Sequence, residues 1–65
     1  AYLDEREAIW MALDCIPPHY CVPLLLHSYA GYKLKTSAAA LDCNINTIKT
    51  RIHRGRAQFR QIYLA

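Results

Sequence analysis

Apolar residues recur along this chain at helical spacing and nowhere in sustained alternation, which predicts helices and no strand. The first helix is expected from about Asp4 to Asp14, with Ile9, Leu13 and Trp10 on its apolar side. Its early acids, Asp4, Glu5 and Glu7, suit the positive end of a helix dipole. Ile16-Pro17-Pro18 ends that helix and opens the next, because proline cannot continue a helix but fits its first turn. Val22, Leu25, Leu26 and Tyr29 then give the spacing of a buried stripe, and Gly31 stands where a C-terminal cap is expected. Pro23 interrupts this second helix: it lacks a backbone donor and crowds the carbonyl of His19, which predicts a kink or a later start.

A short third helix is predicted over about Lys35 to Leu41, with Leu34, Ala38 and Leu41 on one face. Asp42-Cys43-Asn44 makes a corner, since Asp and Asn tolerate turn and left-handed backbone. Asn44 can cap a fourth helix starting near Ile45 or Asn46 and running to the C-terminus. The apolar series Leu34, Ala38, Leu41, Ile45, Ile48, Ile52 keeps its phase through the corner, as two helices around a shared core require. That arrangement is a helix-turn-helix, here over about residues 34–60. The fold class expected is all-α: a small four-helix domain ending in a helix-turn-helix, winged-helix-like in its use but without a wing.

At about 100° per residue, Ile48, Ile52, Phe59 and Ile62 share one face of the fourth helix. Asn46, Lys49, Thr50, His53 and Arg54 fall on the opposite face. Charge sharpens this picture. The net charge is only +3, yet all three lysines and four of the five arginines lie beyond residue 32, while four of the five acids lie within the first fourteen residues. Such polarity steers an anionic partner to one end. A second helix of a helix-turn-helix enters the major groove of DNA, and residues early in it reach base edges. Lys and Arg suit guanine, Asn suits adenine, and a Thr methyl or hydroxyl suits thymine or phosphate. Asn46, Lys49, Thr50, His53 and Arg54 are therefore the base-facing candidates. Lys33, Lys35 and Thr36 at the start of the third helix, and Arg51 and Arg56 on the flanks of the fourth, are phosphate candidates, the two arginines alternatively supporting the domain internally.

Size and composition narrow the rest. A chain of 65 residues buries only about 60% of its unfolded surface, which leaves room for one domain and no deep catalytic cavity. No apolar run nears the roughly 20 residues that cross a bilayer, and no signal peptide is recognisable, so no membrane association is expected. A cytoplasmic protein is the expectation. The initial Ala1 suggests a domain, 1–65, excised from a longer chain. Cys15, Cys21 and Cys43 are read as reduced thiols. Cys15, His19 and Cys21 match no zinc-ligand spacing and lack a fourth ligand. Without a glycine-rich phosphate loop or an arguable Ser/His/acid set, no catalytic residue, metal or cofactor is expected.

Ile16-Pro17, Leu26, Gly31-Tyr32, Ala38, Leu41 and above all the run from Thr47 to Arg56 resemble region 4 of bacterial sigma factors of the extracytoplasmic-function (ECF) group. The resemblance covers about residues 6 to 62. The LuxR-type helix-turn-helix of response regulators shares the Thr-Ile-Lys core, but usually has histidine at Arg51 and lacks the Arg-x-Arg that comes after it. What the sigma resemblance implies is a module that binds double-stranded promoter DNA at the −35 element and docks on the β-flap of the RNA polymerase core, acting at the bacterial nucleoid. Anti-sigma factors commonly cover the same surfaces. Three positions depart from the family pattern: Cys21 stands in place of the usual arginine, Thr36 in place of glutamate, and Lys33 in place of a Ser or Thr cap. Thr36 or Ser37 is left to cap a shorter third helix. The missing charges also motivate an alternative, a sigma-shaped protein-interaction module with weak DNA contact.

Overall fold

The computed structural model describes residues 4–63, and among them it contains four helices and no strand: α1 (Glu5–Asp14), α2 (Pro18–Leu24), α3 (Leu34–Ala40) and α4 (Ile45–Tyr63). A single π turn, Leu25–Tyr29, prolongs α2. The expected fourth helix is thus described to Tyr63, and its last two residues lie outside the described part. Asp4 caps α1, its Oδ1 accepting from the Glu7 amide at 2.8 Å. Pro18 occupies the first turn of α2, where its missing donor is harmless.

α4 is the axis of the fold, with α1, α2 and α3 all packed against it. Leu13, Ile16, Leu24, Ala38, Ile48 and Ile52 form the buried core, and Ile48 is wholly enclosed. α3 ends in a complete Schellman motif: the Cys43 amide donates to Ala38 O at 2.9 Å and the Asp42 amide to Ala39 O at 3.3 Å. The residue between cap and return, Asp42, takes φ +53°, the left-handed backbone that Asp tolerates better than most residues. Asn44 Oδ1 then accepts from the Asn46 amide at 2.7 Å and starts α4. The corner between α3 and α4 is therefore closed by the residues expected to close it.

The phase of the second helix differs from the expected one. Pro23 and Leu24 are the buried residues of α2, whereas Val22 is exposed and Tyr29 is 75% exposed. Two causes are visible. Gly55 of α4 has no side chain to hold α2 away, so Leu24 and the Tyr20 carbonyl come directly onto it. Downstream, the π turn, closed by the Ala30 amide on Leu25 O at 2.9 Å, adds a residue to the turn and rotates the residues beyond it. The late start anticipated as one consequence of Pro23 does not occur, since α2 begins at Pro18, and the irregularity of the segment is the π turn rather than a break at the proline. Gly31 does end the segment, with φ +80°.

Other positions also depart from expectation. Trp10 lies at the edge of α1, 41% exposed, its ring edge-on to Tyr29 with centroids 5.7 Å apart. Ile45 and Ile62 sit at the rims of the core rather than inside it. Neither Thr36 nor Ser37 caps α3, because the helix already begins at Leu34 with Lys33 as its uncapped N-terminal neighbour. That early start turns Ser37 inward, where it is fully buried.

Candidate nucleic-acid interface

The core face and the polar face of α4 are set by the same helical period. Ile48, Ile52 and Gly55 are buried, so Asn46, Lys49, Thr50, His53 and Arg54 must point away from the domain, and all five are exposed. Thr50 donates its hydroxyl proton to the Asn46 carbonyl at 3.0 Å, which leaves the oxygen able to accept. The Asn46 backbone is fixed by the cap, so its side chain projects from a defined first turn. The structure thus brings the five base-facing candidates onto one surface.

The phosphate candidates divide. Lys33, Lys35 and Thr36 are exposed at the start of α3. Arg51 is half-buried and turned into the corner, where its guanidinium donates to Cys43 Sγ at 3.3 Å while that thiol donates to Leu41 O at 3.2 Å. Arg51 thus makes a hydrogen bond inside the domain from its place beside the polar face. Arg56 lies two turns beyond Lys49 and, with Arg60, edges an apolar groove rather than the polar face.

Two residues that the periodicity of the fourth helix could not reveal join this surface from α2. Tyr20 accepts from Arg54 at 3.4 Å, and the His19 ring lies against the Tyr20 ring with centroids 4.1 Å apart. Only the close α2–α4 packing over Gly55 brings them there. The sole local signal was an aromatic with a hydroxyl shortly after the two prolines.

The sequence matches the model of the family described as "Sigma-70, region 4" over residues 6–59, spanning α1 to most of α4. The chain belongs to this sigma-70 region 4 family. It is 39% identical over 66 residues to the ECF RNA polymerase sigma factor SigE of Mycolicibacterium smegmatis, an alignment that takes in 98% of this chain and 25% of that protein. The chain therefore spans about a quarter of the length of the curated relative it matches. No solved structure matches it. The family is one of transcription-initiation modules, not of enzymes, and the match supports a sigma-type DNA-binding module of the ECF group over the response-regulator alternative.

The region 4 domain also carries its departures from the family pattern in visible places. Cys21 is half-buried, and burial, followed by the Asp14 carboxylate, pushes its thiol pKa up, so the side chain stays neutral where an arginine is usual. Thr36 is exposed, and among the described residues no buried charge is stranded by the double loss. Away from the polar face, Ile9, Leu13, Leu24, Leu25, Phe59 and Tyr63 line an open apolar groove between α1, α2 and α4. The groove continues across α1 to Trp10 and Tyr29.

Proposed function

We propose that this domain recognises the promoter −35 element in the major groove and docks on the β-flap of RNA polymerase, as part of an ECF sigma factor acting in the bacterial cytoplasm. Asn46, Lys49, Thr50, His53 and Arg54 form the base-facing set, and Lys33, Lys35, Thr36, Arg51 and Arg56 are the candidates for the phosphate backbone. The observation that carries this reading is the outward face of α4 directly after the Schellman corner. Five donor-rich side chains share that face while Ile48 and Ile52 anchor its reverse. The apolar groove of Ile9, Leu25, Phe59 and Tyr63 suits the polymerase flap, and an anti-sigma factor would compete for the same surfaces.

Duplexes selected from a random pool and titrated at several salt concentrations test the reading. Affinity is expected to fall with salt at a slope of about 0.9 per phosphate neutralised. Lys49→Ala is expected to weaken the selected duplex about tenfold or more, in line with the roughly 1–3 kcal/mol of a base contact, and random duplex much less. Equal loss on both would remove Lys49 from base readout.

The apolar groove and the absent Cys21 and Thr36 charges favour a second reading, a protein-interaction module with weak DNA contact. A promoter footprint formed with polymerase and abolished by Lys49→Ala with Arg54→Ala would eliminate it. Polymerase binding without any footprint would support it.

A further inference from the structure

We infer that the depression between the first turn of α2 and the recognition helix is a clamp for a single backbone phosphodiester of DNA, with Tyr20 and His19 as ligands and Arg54 as its cation. The inference rests on the duplex-binding reading and deepens it, because it extends the interface to a second helix and moves Arg54 from a base edge to the backbone.

The lining of the depression identifies its ligand. His19 and Tyr20 form one wall, and Asn46, Thr50 and Arg54 the other, with Thr47 and Arg51 also bordering it. Each of these side chains is of a donor or cationic type and none is acidic, although the Thr50 hydroxyl proton and one Arg51 amine are already engaged within the domain. A concave surface of donors without a carboxylate fits an anion with several acceptor oxygens, which is what a phosphodiester presents.

The hydrogen-bond directions fit as well. Arg54 donates one of its amines to the Tyr20 oxygen at 3.4 Å. That bond uses a lone pair of Tyr20 and leaves its proton free to be donated to an anion in the depression, with the remaining guanidinium donors also unspent. His19 lies obliquely against the phenol ring, so its imidazole and the Tyr20 hydroxyl border the same wall of the depression. Thr50 does not compete, because its proton already goes to the Asn46 carbonyl. The Gly55 contact fixes the spacing of the two walls, since Tyr20 rests by its own carbonyl on that glycine. An arginine held onto α2 in this way lies across the depression instead of extending freely from α4.

The test is anisotropy titration of the 65-residue chain with selected and random duplexes at low and moderate salt, for wild type, Tyr20→Phe, His19→Gln and Arg54→Ala. Melting curves followed by circular dichroism serve as fold controls. Tyr20→Phe keeps the ring and is expected to weaken both duplexes alike, about fivefold to tenfold, for a hydrogen bond of roughly 1–1.5 kcal/mol. It should leave the salt slope unchanged, since no cation is lost. Arg54→Ala should weaken both alike and lower the slope by about 0.9. Replacing single phosphates by neutral methylphosphonates should reveal one position where the wild type loses affinity and Tyr20→Phe or His19→Gln adds no further loss. Unchanged binding by Tyr20→Phe and His19→Gln would overturn the clamp while leaving the duplex reading intact. A Tyr20→Phe loss confined to the selected duplex would overturn it too, making Tyr20 a positioning residue for base contact by Arg54. Failure of the wild-type chain to bind any duplex at low salt would overturn the duplex reading beneath it.

Discussion

Ser37 is completely enclosed, and its hydroxyl has no hydrogen-bond partner among the described residues. Burying a hydroxyl without a partner costs about 1–3 kcal/mol, and serine is also a poorer helix former than alanine. Ser37→Ala should therefore raise stability by about 1 kcal/mol or more, moving the melting temperature up by about 4–8 °C per kcal/mol in a domain of this size. A melting temperature lowered by the substitution would mean that the hydroxyl is satisfied after all. Sequence alone makes Ser37 a candidate cap because Lys33 offers none. The earlier start of α3, at Leu34, reverses its environment from solvent to core, and helix starts are the feature local sequence specifies least. The corner residues were legible because their roles are local: Asp42 needs only a left-handed backbone and Asn44 only the amide two residues on.

Element phase was legible wherever one helix follows a single period, as α4 does over 19 residues. α2 was not, because its orientation is fixed by Gly55, a residue of another helix far along the chain from Leu24. A Cβ built on Gly55 would stand 2.9 Å from the Tyr20 carbonyl and 3.5 Å from the Leu24 Cβ, and a backbone carbonyl cannot swing aside as a side chain can. Gly55→Ala gains roughly 1 kcal/mol in helix propensity but forces α2 away from α4, an overpacking typically worth about 1–3 kcal/mol. The expected balance is a loss of about 1 kcal/mol, read as a lower melting temperature. The same variant should weaken duplex binding more than that stability loss explains at temperatures where it remains folded, because Tyr20 and His19 move with α2. Binding that stays at the wild-type level in the folded variant would show that the interface does not depend on the α2–α4 spacing.

At the scale of the whole molecule, the described backbone measures 42 × 19 × 14 Å, and the polar face of α4 and the apolar groove are separate surfaces. The acid-rich start of α1 and the basic face of α4 were legible in the charge order along the chain, whereas the apolar groove was not, because its lining comes from three helices whose relative rotation depends on Gly55 and the π turn. Tyr29 illustrates this: read as core, it stands 75% exposed beside Trp10 and at the edge of that groove. A large aromatic pair left uncovered on a small domain is the composition of an interface centre. Its removal tests whether the two sides are independent. Tyr29→Ser deletes an edge-on aromatic contact of about 0.5–1.5 kcal/mol, so the domain should remain folded with a modestly lower melting temperature. Duplex affinity and its salt slope should be unchanged, because no group of the polar face is touched. Association with RNA polymerase core should weaken about tenfold or more, as expected where an exposed aromatic is buried on docking. Parallel loss of duplex and polymerase binding would instead mean that one surface serves both partners, and unchanged polymerase binding would remove the Trp10–Tyr29 groove from the docking face.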